Sequence, residues 1–269
     1  MTAPARRRWW LTGIVAAWIV VVGVLAVWSV GHERATVPEQ RDLGLAVTDL
    51  QRAAGVVYAA ASGDGRAVVL GELQFSPACR ITPVRSGLAA ARTVTVHVGD
   101  GQAGGVLDDV AAGLPADYQA DVGRSHGGTK LSLHADAGDF VGIDMSGESV
   151  ATEFTLRLTT GCRPVDGDAP SGDTLSTPPA PALLSTVVGA LGGTVGEPEA
   201  QAVRCPSGGV AGSWTVTGLS KPDGVASKIR GLEVVHVGDD LWAYRSRGDS
   251  VVVRAEGDQL SVAVSTACQ

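Results

Sequence analysis

"TLRLTTGC" occupies Thr155–Cys162, and "SVAVSTAC" occupies Ser261–Cys268. Each alternates apolar and polar residues, the period of a strand with one buried face. Each then stops in Thr, a small residue and Cys. One strand ending used twice in a chain points to a repeated unit, so the flanking sequence is read against that idea.

Both halves begin with a helical segment. "LGLAVTDLQRAAGVVYAAA" (Leu43–Ala61) has the shorter counterpart "PALLSTVVGALGG" (Pro181–Gly193). Each half then reaches a further cysteine, in "VVLGELQFSPACR" (Cys79) and in "GEPEAQAVRCPSG" (Cys205). Strands follow at "RTVTVHV" (Arg92–Val98) and "GSWTVTGL" (Gly212–Leu219). A second helix comes next. Val106, Val110 and Leu114 recur at helical spacing in the first half, and Val225, Ile229 and Leu232 do so in "KPDGVASKIRGLE" of the second.

Three strand-like stretches complete each half. In the first they are "YQADVGR", "KLSLHADAGDFVGIDM" (divisible in two at Gly138) and "TEFTLRLTTGC". In the second they are "DLWAYRS", "DSVVVRAEGD" and "QLSVAVSTAC". "RGDS" and "EGDQ" supply the tight turns between them. The predicted fold class is therefore α+β, with two duplicated, disulfide-bonded domains of antiparallel sheet plus helix.

The four cysteines are Cys79, Cys162, Cys205 and Cys268. Four cysteines allow three pairings. The repeat selects Cys79 with Cys162 and Cys205 with Cys268, each tying the first strand of a half to its last. No CxxC occurs, and no Cys stands near a His at metal-ligand spacing, so disulfides of an oxidising compartment are the expected use.

The N-terminus is a separate object. Arg6, Arg7 and Arg8 precede the uncharged run "WWLTGIVAAWIVVVGVLAVWSV" (Trp9–Val30). About 20 helical residues cross a bilayer core. Trp9, Trp10 and Trp28 lie near its ends, where indoles prefer the headgroup level. A secretory signal has a shorter apolar core followed by a cleavage site, and "SVGHERATV" offers none, so the run is read as an uncleaved anchor. Its basic flank keeps the N-terminus in the cytoplasm and exports the rest. Gly13 and Ala17 are read as ordinary anchor composition, although small residues at this spacing let helices approach.

The predicted organisation is a cytoplasmic stub (1–8), a transmembrane helix (9–30), a stalk (31–42), a first extracytoplasmic domain (43–163), a linker rich in Pro, Gly, Ser and Asp (164–180) and a second domain (181–269). Setting the three anchor arginines aside from 21 basic residues leaves 18 against 28 acidic ones, a net charge of −10. Nucleic-acid binding needs a basic footprint, which this part lacks. An acidic surface also disfavours anionic headgroups.

Patterns that carry chemistry fail one by one. His126, His134, Asp136 and Asp139 are close in sequence, but the stretch lacks a zinc-helix motif and reads as the flanks of a hairpin. "DGDAPSGD" (Asp166–Asp173) starts like a calcium loop, yet Pro170, Ser171 and Thr177 stand where that loop needs ligands and Gly. No GxSxG elbow exists, and Ser125 beside His126 is only adjacency. Asp108–Asp109 and Asp239–Asp240 read as exposed positions at a helix or turn. "VGDGQAGG" (Val98–Gly105) lacks the P-loop Lys-Ser/Thr and reads as a turn before a helix. Trp242 and Tyr244 share a strand face and read as core, with sugar stacking as the rival reading.

The sequence thus nominates no catalytic, cofactor-binding or metal residue, and its only site residues are the four cysteines. The expected function is a membrane-anchored, non-enzymatic module that binds or scaffolds another protein of a bacterial cell envelope. The alternative is a small-ligand, glycan-binding or hydrolytic domain with its site between the two repeats.

Overall fold

A computed structural model describes residues 5–32, 42–76, 79–82, 85–165 and 175–268. Most of the expected stalk and the central part of the linker, with the calcium-like stretch, lie outside the described residues. The chain divides into two units, residues 1–40 and 41–269.

The first unit holds helix α1 (Ala5–His32). Its segment Trp9–Ser29 has a mean hydropathy of 2.4 over 21 residues and is not buried by protein. That length and apolarity suit a membrane anchor.

The second unit starts with α2 (Leu43–Ala61). Asp42 caps it, its carboxylate accepting from Gly44 N at 2.6 Å. Leu43, Val47, Leu50, Ala54, Val57 and Ala61 form one buried stripe. Then come β1 (Arg66–Leu70), β2 (Gln74–Phe75), β3 (Cys79–Thr82), β4 (Arg85–Gly87), β5 (Ala90–Val98), α3 (Ala103–Gly113), β6 (Asp121–Ser125), β7 (Lys130–Asp136), β8 (Gly142–Glu148) and β9 (Glu153–Thr159). The second half has α4 (Ala182–Ala190), β10 (Glu199–Arg204), β11 (Val210–Ser220), α5 (Val225–Lys228), β12 (Glu233–Val237), β13 (Leu241–Ser246), β14 (Asp249–Glu256) and β15 (Gln259–Ser265).

The main path of the first sheet runs β1-β5-β9-β8-β7-β6, and the second runs β10-β11-β15-β14-β13-β12. The two orders are the same when the strands are matched in turn. All pairings are antiparallel. A helix precedes the first strand of each, and another follows the second. The strand that ends in Thr-small-Cys returns to the interior of its sheet in both cases, β9 between β5 and β8 and β15 between β11 and β14.

Three details differ from the sequence reading. The closing meander has four strands per half: in the first half "KLSLHADAGDFVGIDM" divides at Gly138 into β7 and β8, and in the second a strand is added to the three expected. β12 is the strand missed in the second half, where "EVVHV" was partly assigned to a helix. That helix shrinks to the single turn of α5, because Ile229 is already extended (φ −90°, ψ 99°) and Gly231 then turns the chain at φ +78° into β12.

The two halves share one body. α2, α3 and the inner face of the first sheet (Val94, Val96, Val98, Leu131, Leu133, Ile143, Phe154, Leu156, Leu158) form one core, which also takes in Val203, Cys205 and Ala211 of the second half. A second core joins α4 and α5 to one face of the second sheet through Leu184, Val188, Trp214, Trp242, Tyr244, Val251, Val253, Val262 and Val264. The opposite face of that sheet gives Val235, Ala243, Val252 and Ala263 to a small third cluster with Ala67 of β1. β1 contacts β11, β15, β14 and β13 in succession, so it crosses the second sheet and does not run along it.

β1 is an edge strand, and its outward N–H groups would be costly to bury unpaired. Serines of the second sheet accept from them: Val68 N donates to Ser250 Oγ at 2.8 Å, and Leu70 N donates to Ser213 Oγ at 2.9 Å. Ser213 in turn bonds Ser265. The linker composition permits independent domains; these bonds and the shared cores instead make 42–268 one packed unit.

The bridges are Cys79–Cys162 and Cys205–Cys268. Cys205 directly follows β10, so the second bridge ties the first strand of its half to the last. The first differs from that expectation. Cys79 lies on the β3–β4 hairpin, which is inserted after β1 and pairs with neither β1 nor β9. Closures of 83 and 63 residues are worth about 4–5 kcal/mol each in the chain-entropy model.

Candidate functional site

Among the described residues, the regions with the geometry of a site include the outer face of the first sheet, a cleft between the halves and a charged cluster on the seam.

The outer face follows from strand alternation. Side chains that do not enter the α2–α3 core point the other way and line up in register across the sheet. One row is Asp121, His134, Asp144, Arg157 and Thr93. A parallel row contains Gly123, Ser132 and Ser146 on β6 to β8 and Thr155 and Thr95 on β9 and β5. Thr95 and Thr155 hydroxyls meet at 3.2 Å. The third row holds Ser125, Lys130 and Glu148 on one side and Glu153 and His97 on the other. His134 Nδ1 is 2.6 Å from Asp144, and Lys130 is 2.6 Å from Glu148. The lysine holds the Glu148 carboxyl below its usual range. Thr93, Ser132, His134, Asp144, Ser146 and Arg157 line a shallow depression of about 420 Å³.

The inter-half cleft is about 550 Å³ and lies between α2 and the end of β10. Thr48, Gln51, Arg52 and Val56 line one wall, and Arg204, Cys205 and Pro206 the other, with Leu175 at its side. α2 approaches β10 closely at Gly55, where any Cβ would overlap the Arg204 carbonyl. Tyr58, one turn on, donates to Thr266 O at 2.7 Å, and burial raises its hydroxyl above the usual range.

The seam cluster contains residues the sequence reading missed. His97 of β5 is buried, 1% exposed, and its Nδ1 lies 3.4 Å from Glu153 Oε2 without a hydrogen bond. Arg254 of β14 bonds the same carboxylate from the other half. His236 of β12 places Nδ1 3.5 Å from Asp100 Oδ1. Burial, partly offset by Glu153 and reinforced by Arg254 and His236, lowers the His97 pKa to about 4. The signal was a histidine inside the alternating run "TVTVHV", where a polar residue on a covered strand demands a partner.

The residues nominated for metal chemistry stay apart. His126 sits before β7, whereas Asp136 ends that strand and Asp139 lies beyond it. At about 3.3 Å per residue a seven-residue strand separates them by roughly 20 Å. Among the described residues no group of three or more His, Cys, Asp or Glu is placed to hold a metal ion. Ser125 Oγ and His126 Nδ1 are 3.1 Å apart and exposed; among the described residues no carboxylate orients the pair. Asp109 is a distant neighbour of Arg66 at 3.9 Å, and Asp108 pairs with Arg124. Asp240 pairs with Lys221. Trp242 and Tyr244 are buried in the second core, with Lys221 over the Trp242 ring.

No family model matches the chain, and comparison with curated proteins gives no match. Among solved structures, the chain is similar to a DUF4853 family protein from Actinomyces odontolyticus ATCC 17982, at 10% identity and a TM-score of 0.36. That likeness covers 63% of this chain and 89% of the other. At that score it carries no argument about role.

Proposed function

We propose that this chain is a single-pass protein of a bacterial cell envelope whose exported body binds another envelope protein through the open face of the first sheet. The N-terminus is cytoplasmic in this reading, as the arginines before the span require. The body is two copies of one module; the matching strand orders and helix positions support that duplication. The observation that carries the binding role is the face itself. Rows of polar side chains stand in register there, and among the described residues no element covers the middle of β7, β8 and β9. A flat polar surface with small hydroxyls between charged rows suits a protein partner better than a small substrate.

A photo-crosslinking residue at Ser132 or Ser146, in cells, tests this. One dominant protein adduct from both positions, absent from a control at Glu256, is the expected result. Adducts at Glu256 equal to those at Ser132 would remove the proposal.

The cleft at α2 and β10 favours a second reading, a small ligand held between the modules, since pockets commonly form at such junctions. Thermal shift against cell-wall fragments and lipids checks it. A ligand that raises Tm in the native chain but not in Val56→Trp places its site in the cleft.

A further inference from the structure

The seam cluster joins elements from both halves. β5 gives His97, β9 gives Glu153, and the turn after β5 gives Asp100. β12 gives His236, and β14 gives Arg254. With both imidazoles neutral, the set holds two carboxylates and one guanidinium. We propose that this cluster is an acid-sensitive latch, which holds β12 and β14 of the second half against β5 and β9 of the first at neutral pH and releases them in acid.

The two histidines are not equivalent. His236 is partly exposed and faces Asp100, an exposed carboxylate for which no second partner is seen among the described residues. The carboxylate nearest His97 is already held by Arg254. A proton on His97 therefore adds a second positive group beside Arg254, with Glu153 shared between them, at a ring shielded from water. It is costly there and easily accommodated once the halves part and water enters. Ala67 stands beside His97 in register and belongs to the small alanine–valine cluster that packs the sheets together. That cluster offers little apolar area to resist separation. The other end of the contact is stronger. Cys205, Tyr58 and the Leu70–Ser213 bond hold it, whereas the Val68–Ser250 bond and the Arg245–Asp64 pair lie nearer the latch. Release thus opens the seam at one end and leaves the other as a hinge.

The test uses the full chain in detergent or nanodiscs. All four cysteines are bridged, so cysteines introduced by Val150→Cys and Asp239→Cys accept spin labels selectively. A single short inter-label distance is expected at pH 7.5. At pH 5 a longer population should grow at least threefold, and its midpoint should track the His97 titration seen by NMR. His97→Gln should abolish the acid response, and His236→Gln should keep it. Unchanged distances between pH 7.5 and 4.5 would overturn the latch. So would opening that does not follow His97 protonation, which the native chain alone can reveal if His97→Gln does not fold.

Discussion

The equivalent strands β8 and β14 occupy the same place in sheets of the same order, yet they are buried differently. Along β8 burial alternates, with Ile143 and Met145 inside and Asp144 and Ser146 outside. Along β14 Ser250, Val251, Val252 and Val253 are all buried. The cause is that β1 crosses the second sheet, so β14 has α4 and α5 on one side of its sheet and the first half on the other. A sheet covered on both faces reads as a continuous apolar run, and a half-covered one alternates. The second half is therefore an internal layer, and the first keeps a free face. One topology serves two duties, and the choice is written in "VVV" against "IDMS".

The largest test of that contrast concerns the bridges. Cys205–Cys268 packs into the core of the first half, so Cys205→Ser with Cys268→Ser should lower unfolding free energy by about 4 kcal/mol and loosen both halves together. The same change at Cys79 and Cys162 opens a loop worth about 4–5 kcal/mol on chain entropy alone, but because Cys79 is anchored on an inserted hairpin outside the main sheet the loss should be only about 2 kcal/mol. Denaturant unfolding of the pair of variants ranks them. Equal losses would mean that the seam bridge has no special role.

Acid should come next. His97 titrates near 4 in the folded chain and near 6.5 when unfolded. The unfolded chain takes the extra proton between those values. Stability is thus fully present above about pH 6.5 and falls as the pH drops toward 4, by at most about 3 kcal/mol. Urea midpoints across that range measure it, and His97→Gln should flatten the slope.

Removing a serine that accepts from β1 leaves a buried N–H unpaired. Ser250→Ala and Ser213→Ala should each cost about 1–3 kcal/mol and speed amide exchange at Val68 and Leu70 respectively. The smallest effect belongs to the open face. His134→Ala and Asp144→Ala should stay within about 0.5 kcal/mol of the native chain, since exposed pairs contribute little. A larger loss there would mean that the face is covered after all.

The sequence carried much of this architecture. Alternation located β7, β9, β13, β14 and β15, and helical spacing located α2, α3 and α4. The paired strand endings indicated which cysteines stand together. It did not reveal the union of the halves. Ser213, Ser250 and Ser265 look like ordinary strand serines, because their partners are backbone groups 143 or more residues away for the first two. His97 and His236 escaped notice for a related reason: His97 stands out in "TVTVHV", but the groups that give both rings meaning lie across the seam. Arg163 gave no signal either. It lies buried beside Cys162 and donates to the carbonyls of Asp139 and Phe140, at 2.8 and 3.3 Å, where the turn runs through positive φ.

The serine bonds to β1 also bear on biosynthesis. Ser250 lies 182 residues beyond the N–H it receives. A ribosome completes the first half long before that hydroxyl exists, since chains emerge N-terminus first at about 5–20 residues per second. Throughout that interval β1 is a bare edge, able to pair with any passing strand. The nascent first half therefore keeps that edge uncovered until its own C-terminal half arrives.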